Sequence, residues 1–167
     1  YAYGFSRYHH IGGQLATLPL AVMMLFSKSK KNRILGKATI IPSIFNINEP
    51  LVYGTVVNNP FMFVPVILIS IVLPGVSYLW FYFGWGTINY VNFDMNFLPN
   101  AISAFMMSGG DIRNVLLVLI NIALATLIWY PFFKAYDKYD AEKEVEREKA
   151  KAAKKATKAT EKKSVAE

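Results

Sequence analysis

Four stretches of the 167-residue chain are apolar enough to enter a bilayer, and short polar segments separate them. Residues 11–26 run for sixteen positions without a charge, interrupted by Gly12, Gly13 and Pro19. Residues 61–83 are 23 uncharged positions, with Pro65 and Pro74 placed to kink a helix. Residues 112–133 carry one charge, Arg113, near the start, and Asp111 after Gly109-Gly110 is a natural N-cap. A hydrocarbon core about 30 Å thick needs about 20 helical residues, so the last two are candidate spans and the first is slightly short. The fourth stretch, 34–57, is cut by Pro42 and Pro50, with Pro60 just beyond, into pieces too short to cross. Between the first two prolines lies SIFNINE, polar residues in a strongly apolar setting. That is the pattern of a re-entrant hairpin, two half-helices meeting at an unwound turn inside the membrane. Pro50 suits the first position of the second half-helix, and Glu49 then falls at its N-cap.

The pattern therefore predicts an all-α membrane protein. It has about three transmembrane helices plus a re-entrant helical hairpin, and a charged, partly helical cytoplasmic tail. Two parts follow: residues 1–136 in the membrane and residues 137–167 as the tail.

Charge supports this division. Hydrophobic residues make up 54% of the chain, and the mean hydropathy of +0.29 is reached despite the tail. Residues 1–133 hold only seven Lys/Arg and three Asp/Glu, whereas residues 134–167 hold eleven and eight. A soluble domain would carry about a quarter charged residues, so a medium that penalises charge explains the first part better. The basic loop SKSKKNRILGK, residues 27–37, has five cations and no acid, which assigns it to the cytoplasmic side. From there 61–83 runs outward and 112–133 returns, leaving the tail cytoplasmic and the base-free 84–111 segment outside. Residues 34–57 must then enter and leave on one side. A basic patch between two apolar segments is a poor fit for nucleic acid, and no nucleic-acid partner is expected. In the tail, Glu144–Arg147, Glu146–Lys149 and Glu148–Lys151 have helical spacing, without an apolar heptad for a coiled coil. A solvated, exposed extension is expected there. The chain opens on Tyr1 with no basic-then-apolar leader, the reading of a partial chain.

The candidate chemistry is concentrated in the hairpin turn. Glu49 is a carboxylate in an apolar setting, a position that suits either a helix cap or action on a substrate, ion or proton. Asn46 and Asn48 beside it supply amides suited to a polyhydroxylated ligand. An ion site is chemically open too, although one carboxylate makes a thin cage. Asp94 reads as an exposed loop residue. His9 and His10 lack a third ligand nearby and read as an interfacial polar pair, so no metal is expected. Trp80, Trp85 and the Trp129–Tyr130 pair read mainly as interfacial anchors. With no cysteine there is no disulfide and no phosphocysteine in this chain, and no nucleotide or dinucleotide fingerprint occurs.

The run GGQLATLPLAVMMLFSKSKKNRILGKATIIPSIFNINEPLVYG, residues 12–54, resembles the enzyme IIC permeases of the lactose/cellobiose phosphotransferase family. The motif carriers are Gly-Gly-x-x-Ala-Thr-Leu, the SKS loop, the NINEP core and Asn59-Pro60. GGDIRNVLLVLINIALATLIWYPFFKAYDK, residues 109–138, is similar to the family's last helix. The resemblance covers residue 12 to about 138. It implies the C-terminal, substrate-holding portion of a sugar permease in the bacterial plasma membrane. Such a permease binds a disaccharide such as cellobiose, which is phosphorylated from a phosphocysteine on a separate IIB protein, and it is a homodimer when full length. By the same resemblance Glu49 is the catalytic glutamate near the reacting sugar hydroxyl and Asn48 binds substrate with it; Asn46 joins the substrate-binding set on the chemistry of its amide alone, and no cofactor is implied. The chain departs from the family at Gln14-Leu15, Pro19, Thr55-Val56-Val57 and around 96–102, so no aromatic sugar contact carries over. The family's upstream Gly-Ile-His-Gly motif has no counterpart. Two other readings remain at this point: a non-transporting membrane remnant, and an ion-coupled carrier using Glu49.

Overall fold

The structure is a computed structural model that describes residues 2–57, 59–91 and 98–164, with side chains over 4–57, 59–91 and 98–151. Asp94 and residues 96–97 lie outside the described residues. Among the described residues every regular element is helical: α1 (Ala2–Ser6), α2 (Leu18–Leu25), α3 (Lys30–Ile44), α4 (Glu49–Leu51), α5 (Phe63–Tyr82), α6 (Asn100–Met107) and α7 (Ile112–Ser164). A 3-10 turn at Gln14–Ala16 precedes α2, and a π-helical turn at Val52–Val56 extends α4.

Two helical stretches among the described residues are long and apolar enough to cross a bilayer, Pro60–Tyr82 and Ile112–Lys151. They correspond to the expected segments 61–83 and 112–133. Residues 11–26 form no single long helix; they are a loop, the 3-10 turn and the eight-residue α2. The physical reason is the backbone of the loop, where Gly12 and Gly13 but also Leu15 and Ala16 have positive φ. On α5, Pro65, Ile69, Leu73 and Ser77 are buried at a spacing of four, while Phe63, Ile67, Ile71, Tyr78 and Tyr82 are exposed. A helix apolar on its outward face as well suits a hydrocarbon surround better than water.

α7 is the mast of the molecule. At 53 residues it is about 80 Å long, far more than a bilayer requires. α2, α5 and α6 all pack against it, and α2 also packs against α3. That last approach is close because of Gly36, where an added Cβ would stand 2.8 Å from the Cβ of Met24. The core joining these helices contains Tyr8, Leu20, Met24, Leu51, Leu73, Leu117 and Trp129. Trp129 is completely buried and its indole N–H donates to the Ala16 carbonyl at 3.1 Å. It is a core residue rather than an interfacial anchor, because the 3-10 turn needs a donor at that depth. Trp80 also packs on the core, while Trp85 is exposed.

α7 continues without a break through Asp137, so the charged tail is an extension of the last apolar helix. Its first turns are not free: Asp137 is buried, and Asp140 and Glu144 reach the start of α3. Asp111 accepts from the Arg113 N–H at 2.9 Å, the capping geometry expected of it.

Candidate functional site

The hairpin turn is built by a short sequence of local choices. Pro42 does not end α3, which runs on to Ile44. The chain turns at Asn46, whose φ of 63° is a left-handed conformation that asparagine tolerates better than branched residues do. Asn48 then occupies the N-cap position of α4 and Glu49 is its first helical residue, so the helix begins one residue earlier than the sequence pattern places it. The Asn48 side chain makes no capping bond there, because its amide points elsewhere.

Both asparagines grip the glycine loop 34 residues upstream. The Asn46 side-chain carbonyl accepts from the Gly12 N–H at 3.1 Å and the Gly13 N–H at 3.3 Å, while its amide donates to the Leu98 carbonyl at 2.9 Å. The Asn48 amide donates to the Gln14 carbonyl at 2.6 Å and to the Thr17 hydroxyl at 2.9 Å. Gly13 is required here for two reasons. Its φ is 93°, and a Cβ would lie 2.5 Å from the Asn48 side chain.

The loop's other backbone groups are held the same way. Asn100 donates to the Arg7 and His10 carbonyls at 2.6 and 3.1 Å, and Asn121 to the Tyr8 carbonyl at 2.8 Å. Thr17 donates to the Gly12 carbonyl at 2.8 Å, and Trp129 takes that of Ala16. Non-helical backbone in an apolar surround is stable only when its polar groups are satisfied by the protein. Here amides from three separate elements do so. Asn100 and Asn121 are thus site-building residues that the sequence pattern did not single out; an asparagine within an otherwise apolar span, as at 121, is the signal that was available.

With Asn46 and Asn48 engaged by the backbone, Glu49 stands exposed beside them. It opens on a cleft of about 560 Å³ whose lining also includes Arg7, His10, Gln14, Asn48 and Tyr53. The structure therefore brings Glu49, Asn48 and Asn46 together at one wall. It adds His10 and Arg7, which lie forty residues away in sequence. His9, by contrast, is buried against Phe5 and the His10 ring and does not line the cleft.

The signature of the family described as "Phosphotransferase system, EIIC" matches residues 3–70. The fold agrees with it over most of the chain. The transporter ChbC, the IIC component from an N,N'-diacetylchitobiose-specific phosphotransferase system, superimposes with a TM-score of 0.80 at 37% identity. That match covers 84% of this chain and 33% of the transporter. The chain belongs to the phosphotransferase-system EIIC family. Among its curated relatives, the lichenan permease IIC component of Bacillus subtilis is 34% identical over 142 residues, 84% of this chain and 31% of the relative. The cellobiose-specific EIIC component of Geobacillus stearothermophilus is 37% identical over 153 residues, 84% of this chain and 32% of the relative. The chain thus spans about a third of the length of the curated relatives it matches, and that third contains the hairpin and its cleft.

Proposed function

We propose that this chain is the sugar-holding part of a phosphoenolpyruvate-dependent permease, and that a β-linked disaccharide such as cellobiose binds in the cleft at Asn48 and Glu49. The observation that carries the reading is Glu49: an exposed carboxylate on a turn anchored through Asn46 and Asn48, facing a cleft in a mainly apolar helical bundle. The cleft volume lies in the range usual for small-molecule sites. The relatives' names, which include cellobiose, lichenan and N,N'-diacetylchitobiose, support a disaccharide over an ion.

In the reaction, Glu49 accepts the proton of a sugar hydroxyl as its oxygen attacks the phosphorus of a phosphocysteine on the IIB partner. The sulfur–phosphorus bond breaks, the cysteine leaves as thiolate, and the sugar phosphate is released. A well-placed general base is worth about 100- to 10,000-fold. Asn48 and Asn46 hold the turn in register and present the cleft wall to the sugar. The membrane arrangement belongs to the same proposal. The basic loop 27–37 and the α7 tail are cytoplasmic, residues 34–57 re-enter from that side, and the assembled permease is a homodimer in the plasma membrane.

Vesicles containing the chain, alone and with the upstream region of a full-length relative, are given labelled cellobiose, phosphoenolpyruvate and the soluble phosphotransferase components. Cellobiose phosphate should accumulate, and a protonophore should leave the rate unchanged. Uptake that needs no phosphoryl donor and collapses with the protonophore would replace this reading with an ion-coupled carrier.

A further inference from the structure

The beginning of α3 rests on α7 through a row of acids. The Asp137 carboxylate accepts from the Ser27 hydroxyl and from the Lys28 N–H at 3.0 Å. Asp140 accepts from the Ser29 hydroxyl at 2.8 Å, and Glu144 from the Lys30 N–H at 2.9 Å. Glu148 meets the Lys30 ammonium at 3.1 Å, and the Tyr136 hydroxyl donates to the Asn32 side-chain carbonyl at 3.3 Å. Positions 137, 140, 144 and 148 repeat at three and four, so they share one face of α7. On α3 the same contacts cover its N-terminus, where backbone N–H groups lack intrahelical partners and negative charge is favoured.

The weight of this contact lies in its buried part. Lys30 and Glu148 are 73% and 61% exposed, and such a pair is worth little. Ser27, Ser29 and Asn32 are fully buried and Asp137 is 8% exposed, so the bonds among them are shielded from water and salt. Carboxylates bonded to two hydroxyls and two backbone amides would leave several groups unpaired if the helices parted.

α3 is 15 residues long, about 22 Å, and its far end runs into Asn46, Asn48 and Glu49. The placing of its first turn therefore fixes the placing of the cleft wall. We propose that Asp137, with Asp140 and Glu144 beside it, is a positioning residue for the Asn48–Glu49 cleft: the acidic row pins α3 to α7, and the hairpin and the last helix move as one body. Only the activity readout of this proposal rests on the sugar-permease reading; the contact itself does not.

Two measurements separate those parts. A carbodiimide applied to membranes containing the wild-type chain should join Lys30 to Glu148 through an amide, seen by peptide mass spectrometry. The yield should fall severalfold in Asp137→Ala/Asp140→Ala. No cross-link, or an undiminished one in that variant, overturns the pin whatever the chain transports. In the assembled permease, Asp137→Asn/Glu144→Gln should lower the rate of cellobiose phosphorylation about tenfold with KM within twofold, since misplacing a catalytic group costs rate. Asp137→Glu should recover most of the rate. A purely structural role would lower the amount of protein in the membrane and leave turnover per molecule intact, and that result overturns the proposal. Should the double variant fail to insert, Glu144→Gln alone must show the rate effect. The chain has no cysteine, so Ser29→Cys/Asp140→Cys can be bridged by a short bis-thiol reagent. The bridged protein should keep its turnover, and arrest on bridging would mean that the two helices part during the cycle. If no cellobiose phosphate forms with the phosphoryl donor present, the sugar reading fails while the cross-link still decides the pin.

Discussion

The site depends on a few side chains whose roles differ although their chemistry is similar. Asn46, Asn48, Asn100 and Asn121 all offer amides, and each spends its N–H groups on a carbonyl of another segment. Glu49 is the exposed carboxylate beside this network. Glu49→Gln should therefore leave membrane insertion unchanged and reduce sugar phosphorylation at least about 100-fold, as loss of a general base requires. Normal turnover in a full-length permease carrying that change would refute the base assignment. Asn48→Ala acts differently. It strips the Gln14 carbonyl and Thr17 hydroxyl of a buried partner, at a cost of about 1–3 kcal/mol. Stability in a detergent titration and cellobiose affinity should fall together, and unchanged affinity would remove Asn48 from the cleft wall. The NINE turn was legible as polar chemistry in an apolar setting. That two of its side chains are fasteners was not, because their partners sit more than thirty residues away.

At the scale of elements, close helix approach and helix capping are both testable. Gly36→Ala should destabilise the bundle by about 1–3 kcal/mol, because the new methyl meets the Met24 Cβ and backbone rather than a mobile chain end. Gly75→Ala, with nothing within 4 Å, is the matching control and should be neutral or mildly stabilising. Asp111 caps α7, and the Arg113 guanidinium and Thr87 hydroxyl hold its carboxyl well below the usual carboxylate range. Its contribution is thus fully present above the unfolded value of about 4 and is lost as pH falls below it. Unfolding measured between pH 5 and 8 should show no dependence traceable to Asp111. Below about pH 4 the wild type should lose stability faster than Asp111→Asn. The cap was legible from Gly-Gly-Asp before an apolar run, since capping is a local geometry. The breakdown of 11–26 into loop, 3-10 turn and short α2 was not, since positive φ at Leu15 and Ala16 is imposed by distant partners.

At the scale of the whole molecule, α7 ties the parts together. It lies against α2, α5 and α6, carries Trp129 beneath the loop, and extends past the core to meet α3. The proposed orientation places that extension in the cytoplasm. Trypsin should accordingly cut the Lys/Arg-rich end of α7 in inverted vesicles and leave it intact in right-side-out ones. The opposite pattern would invert the topology. Cleavage should be slowest near Asp137, where the helix is packed on α3.

The helical architecture, the two long apolar helices and the family were all readable from the chain alone. Each rests on properties that are local or additive: the scarcity of charge, unbroken apolar runs, a five-residue motif. The tertiary structure alone decided which polar groups meet. It turned Trp129 from an expected anchor into a donor for Ala16, moved the cap of α4 to Asn48, and drew Arg7 and His10 into the cleft lining, which no sequence signal had marked. It also converted part of an expected free tail into the seat of α3. Those outcomes depend on the register between segments 30 to 118 residues apart, as in the bonds Asn48–Thr17 and Lys30–Glu148. Where backbone runs unwound in an apolar surround, every N–H and C=O must find a partner, and only the packed helices supply them.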